Sequence, residues 1–122
     1  MNRKIYEYLN CCNSQNFNDT LFSYIDNSGQ KDSEIYKSVD IDRKLFSKIR
    51  CNVNYIPRKS TIIKLGFALK LNQKDFDILL KSAGYSLSNS KFDKIILFCL
   101  ENNIYDLSII NDYLFTFCNA IL

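Results

Sequence analysis

Histidine is absent from the 122 residues of this chain, glycine occurs three times and proline once. Without histidine, general acid–base work would fall to carboxylates, lysines or tyrosines. The five cysteines, Cys11, Cys12, Cys51, Cys99 and Cys118, include no C-x-x-C pair. With no imidazole to complete a ligand set, a structural zinc site is not expected. An odd count without a secretion signal points to reduced thiols acting as small core residues, and only the adjacent Cys11 and Cys12 invite redox chemistry. A cysteine nucleophile would also lack its usual base. Three glycines leave no room for a glycine-rich phosphate loop. The chain is therefore expected to have no catalytic residues, no metal and no cofactor. No apolar run approaches the length of a membrane span, and the first residues hold no apolar segment with a small-residue cleavage site. The expected location is cytoplasmic, away from membranes.

What is present is ordinary in amount and uneven in placement. Hydrophobic residues make up 47% and charged residues 24%, as in soluble globular proteins. The length suits one domain, 1–122, able to bury a core without disulfides or metal. The net charge of +3 is the sum of −1 over residues 1–30, +4 over residues 31–60 and 0 over residues 61–122. All the positive excess thus sits in the second quarter of the chain. Between Arg43 and Lys59 stand six basic residues, Arg43, Lys44, Lys48, Arg50, Arg58 and Lys59, and no acidic one. A local footprint of this kind suits a polyanionic partner.

Apolar spacing throughout is helical, with no alternation of the kind strands need. Arg3 to Cys12 reads as a helix, and Asn13–Asn18 as a polar break. A second helix over Asp19–Asn27 places Leu21, Phe22 and Ile25 on one side and stops at Ser28-Gly29. Asp32-Ser-Glu34 puts acids into the first turn of a third helix, ending near Val39 with Ile35 and Val39 inward. The next helix follows after Asp40 and Ile41, with Asp42 as its N-cap, Phe46 and Ile49 inward and a basic outer face. Asn52–Pro57 is a loop. Lys59–Leu69 should bury Ile62, Leu65 and Leu69. Asn72–Asp75 has capping-box spacing before Phe76, Leu79 and Leu80, and Gly84 ends that helix. Two final helices, about Lys91–Glu101 and Asp106–Phe117, flank Asn102-Asn103 and are apolar on more than one face, which implies cover on several sides.

A short helix, a tight break, a basic helix, a proline loop and two amphipathic helices resemble the layout of Cro/lambda-repressor-like (XRE-type) helix-turn-helix proteins. The resemblance spans about Leu21 to Leu80. Ile35, Val39, Ile41, Phe46 and Ile49 stand where that family keeps its core, Asp42 where it caps its recognition helix, and Pro57 where it has a loop proline. Asp42–Arg50, Lys81–Ser88 and Lys91-Phe-Asp93 also resemble a narrower group of uncharacterised bacterial helix-turn-helix regulators. Departures are Tyr36 at the family's alanine, Asp40 at its turn glycine and Asp32 at a polar position that touches phosphate.

The resemblance implies an all-α bundle with a helix-turn-helix core over 19–82, an extra N-terminal helix and a C-terminal helical extension over 90–122. It also implies a sequence-specific DNA-binding regulator, a repressor acting as a homodimer on double-stranded DNA. Arg43, Lys44, Ser47 and Lys48 would then face bases, while Arg50, Arg58 and Lys59 would sit on phosphates. Leu45, at the outer side of the helix start, suits either a thymine methyl or a protein partner. The rival expectation is a helix-turn-helix module that binds another protein, within a toxin–antitoxin or phage-defence locus.

Overall fold

Helix ends govern how this chain turns. The computed structural model describes residues 4–5 and 16–122. Among these residues there are seven named helices and no strand: α1 (Phe17–Ser28), α2 (Asp32–Ser38), α3 (Arg43–Cys51), α4 (Lys59–Ala68), α5 (Gln73–Ser82), α6 (Lys91–Glu101) and α7 (Leu107–Cys118). The expected helix over Arg3–Cys12 lies outside them except for Lys4 and Ile5, which are helical. The Cys11–Cys12 pair lies outside them too.

Polar side chains start most of these helices by accepting first-turn N–H groups. Asn16 accepts from the Asp19 N–H at 2.8 Å, Asn72 from Asp75 at 2.8 Å, Ser90 from Asp93 at 3.1 Å and Asp106 from Ser108 at 2.8 Å. At α2 the Glu34 carboxylate reaches back to the Lys31 N–H, 3.2 Å away. Asp42 occupies the N-cap of α3 as expected, but its carboxylate makes no capping bond.

A shared device ends four of them. At α2, Asp40 takes φ 55°, and the Ile41 N–H donates back to the Tyr36 carbonyl at 2.9 Å. The same left-handed residue and backward bond recur at Lys70 with Leu71 to Gly66, Gly84 with Tyr85 to Leu80, and Asn103 with Ile104 to Cys99. This reversal satisfies the last carbonyls and drops the following apolar residue back onto the helix. Glycine is the cheapest residue at such a site, yet only one of these four has it.

The core is continuous and draws on all seven helices. At its centre lies α4, where Ile62, Ile63, Leu65, Gly66, Phe67 and Ala68 are all buried. Against α4 pack α2 and α5; α1 and α6 lie on α5, α3 on α2, and α7 on α6. Gly66 permits the close approach of α5, since a methyl group there would stand 2.5 Å from Phe76 Cε2. Phe76 is itself buried and stacks at a tilt on Phe67, with centroids 5.2 Å apart.

Candidate nucleic-acid interface

The basic helix α3 is held from beneath by apolar contacts and one buried hydrogen bond. Phe46 and Ile49 are buried. Phe46 meets Phe22 of α1 edge-on at 6.1 Å and Tyr36 of α2 at 5.3 Å. At the far end of α3, the buried Asn18 side chain donates to the Ile49 carbonyl at 2.8 Å. The Tyr36 ring is accommodated by this aromatic contact. With one side fixed, the direction of the other side follows from helical rotation.

At 100° per residue, Arg43, Ser47, Lys44 and Lys48 fall within an outward arc of about 140°. All four are exposed. Cys51 is exposed on the same arc, a neighbour the sequence reading did not place there. Lys48 lies over the Tyr55 ring, its Nζ 4.4 Å from the centroid, so the following loop helps orient it. Leu45 is only partly exposed and packs against the core.

The three residues assigned to phosphates have unlike surroundings. Arg58 is exposed at the N-cap of α4. The Arg50 guanidinium, by contrast, pairs with Asp32 at the start of α2, with Nη2 2.9 Å from Oδ1 and 2.8 Å from Oδ2. The same group lies 4.2 Å from the centre of the Phe22 ring. An open groove between α2 and α3 adjoins this pair and is lined in part by Lys31, Ser33, Arg43 and Ser47.

Lys59 is engaged within the fold. Its Nζ lies 2.7 Å from Asp93 Oδ2, and the Asp93 side chain is only 5% exposed. The same carboxylate accepts the Ser88 N–H at 2.7 Å and the Ser88 hydroxyl at 2.8 Å. Burial alone would push the Asp93 carboxyl up, but the Lys59 and Ser88 hydrogen bonds and the lysine charge outweigh it and hold it below its ordinary value. The acidic partner is the part that sequence reasoning missed. Ser90 and Asp93 have the spacing of an N-terminal cap, which accounts for the Asp93 backbone N–H and says nothing of its carboxylate.

A second surface of different character lies on α6 and α7. Phe98 of α6 and Ile109 and Phe117 of α7 are exposed. Ile95, Phe98, Tyr113 and Phe117 enclose a small apolar hollow. Among the described residues no group of three histidine, cysteine, aspartate or glutamate side chains is placed to hold a metal ion, and no helix is long and apolar enough to cross a membrane. Comparison with family models, with curated proteins and with solved structures returned no match for this chain.

Proposed function

We propose that the chain is a sequence-specific DNA-binding regulator, a repressor of the XRE helix-turn-helix type, with α2 and α3 as the motif and α3 as its reading helix. The observation that carries the reading is the outward arc of α3, where Arg43, Lys44, Ser47 and Lys48 stand exposed over a buried Phe46 and Ile49. The major groove of B-DNA accepts a helix, and arginine suits guanine O6 and N7. Arg58, exposed at the N-cap of α4, would supply a phosphate contact. Lys59 is left out of the phosphate set because its ammonium is held by Asp93. The reading is of a binding protein, with no catalysis and no cofactor.

Two copies would act together. The α6–α7 face offers exposed Phe98, Ile109 and Phe117 around a hollow that Ile95 and Tyr113 also line, so one patch has both projection and recess, as a two-fold contact requires. Only Asp112 is charged in α7, which leaves little for an oppositely charged partner to select. Such a pair would set the two α3 helices about 34 Å apart, one turn of DNA.

Selection from random duplexes, followed by binding at two salt concentrations, tests the reading. The expected result is one enriched sequence and an affinity that falls as salt rises. Equal binding of all duplexes, or none, would remove it. Sedimentation at micromolar concentration tests the pairing: a strict monomer, with and without DNA, rejects the symmetric repressor. The same apolar face favours a second reading, a helix-turn-helix module bound to another protein of a toxin–antitoxin or phage-defence locus. Capture of a co-encoded neighbour together with absent duplex binding would put that reading ahead.

A further inference from the structure

Arg50 is the one cation of the α3 segment whose guanidinium is bound to a carboxylate in the groove between α2 and α3. The geometry points to a masked phosphate subsite there: Arg50, with Arg43 and Lys31 beside it, is built to take a backbone phosphodiester, and Asp32 occupies that place in the free protein. This inference rests on the DNA-binding reading and adds a control to it.

The chemistry is that of competition between two oxyanions for one guanidinium. Asp32 presents both carboxylate oxygens to Arg50 Nη2, at 2.9 and 2.8 Å. A phosphodiester offers two similar oxygens and the same charge, so it can replace the carboxylate without changing the donor geometry. The exchange is open to solvent, because the two side chains keep 46% and 37% of their exposure. An ion pair this exposed adds little to stability, so its main effect is on what else Arg50 can hold. Phe22 lies beneath the guanidinium at 4.2 Å and keeps it near the groove whichever oxyanion it faces. Arg43 and Ser47 line the same groove and also lie on the outward arc of α3, so a duplex seated on that arc brings its backbone to this place. Asp32 then weakens binding to every duplex alike, because it competes only with phosphate.

The test compares the full chain with Asp32→Asn, Arg50→Ala and the double variant, with Asp42→Asn as a control that also removes one acid near α3. Binding to a duplex is followed across salt concentrations, and the Arg50 side-chain Nε–H resonance is followed during titration with inorganic phosphate. Asp32→Asn is expected to tighten duplex binding about three- to tenfold at low salt, and to steepen the salt dependence by about one phosphate contact. That gain should vanish when Arg50→Ala is added, whereas the smaller gain of Asp42→Asn should not depend on Arg50. Inorganic phosphate should shift the Arg50 resonance at lower concentration in Asp32→Asn than in the unaltered chain.

A gain that survives loss of Arg50 would show only removal of a repelling charge and would overturn the inference, as would an Arg50 resonance that phosphate leaves unmoved. If no form binds duplex, the DNA-binding reading falls and the phosphate titration alone decides the subsite.

Discussion

Lys59 and Arg50 occupy comparable places in the sequence, one at each side of the Asn52–Pro57 loop, and both pair with an aspartate more than fifteen residues away. Their surroundings differ. At the junction of α4 and α6, Asp93 is enclosed and its Oδ2 receives Lys59 and two donors from Ser88. In the groove between α2 and α3, Asp32 and Arg50 stand in solvent. A desolvated carboxylate that loses its cation has nowhere to find replacement bonds, while a hydrated one exchanges partners at little cost. The first pair therefore belongs to the fold, and the second is available to a ligand.

The largest effect should come from the apolar floor of the groove. Phe46→Ala removes a ring that touches both Phe22 and Tyr36 and is expected to cost about 3–5 kcal/mol. An unchanged thermal midpoint would mean that α3 is held by something else, and that its outward arc is misassigned.

Next comes the enclosed pair. Asp93→Asn should cost roughly 3 kcal/mol, at the low end for a broken buried pair because Lys59 remains partly exposed. The sign with pH follows from the lowered carboxyl. Stability from Asp93 is fully present above its ordinary value of 3.8 and is lost as pH falls through its lower folded value. The acid limb of a stability–pH curve should thus be shallower in Asp93→Asn. An identical limb in both proteins would separate Asp93 from acid unfolding.

Where α4 meets α5, Gly66→Ala sets a gain in helix propensity of about 1 kcal/mol against a forced contact with Phe76, which cannot withdraw from a filled core. A net loss of about 1–2 kcal/mol is expected, read as a lower denaturation midpoint with an unchanged slope. Stabilisation would show that α4 and α5 can move apart.

Arg50→Ala should have the smallest effect on folding, under about 1 kcal/mol. A loss as large as that of Asp93→Asn would erase the contrast between the two pairs and make Arg50 a structural residue.

Helix positions were legible because their causes are local. The inward stripes at Ile35 and Val39, Phe46 and Ile49, and Phe76, Leu79 and Leu80 follow from a period of 3.6 residues, and every one of them is buried. Gly29 and Gly84 mark helix ends as read, and Asp40 takes the left-handed turn in place of glycine. Lys70 gave no such warning. A lysine is an ordinary helical residue, and only the packing of Leu71 onto α4 forces it to φ 53°.

The identity of the basic face was likewise written in the chain. Once Phe46 and Ile49 are inward, helical geometry sends Arg43, Lys44, Ser47 and Lys48 outward whatever the rest of the protein does. The state of each charge was not, because an ion pair depends on which helices meet. Asp32 lies 18 residues before Arg50, and Asp93 lies 34 residues after Lys59. No spacing rule connects such distant positions. The sequence by itself settled the helices, their inward faces and the direction of the basic arc, since these depend on neighbours within a turn or two. Tertiary packing alone decided that Lys59 is enclosed with Asp93 and that Arg50 waits beside Asp32 in solvent, since burial is a property of the assembled helices.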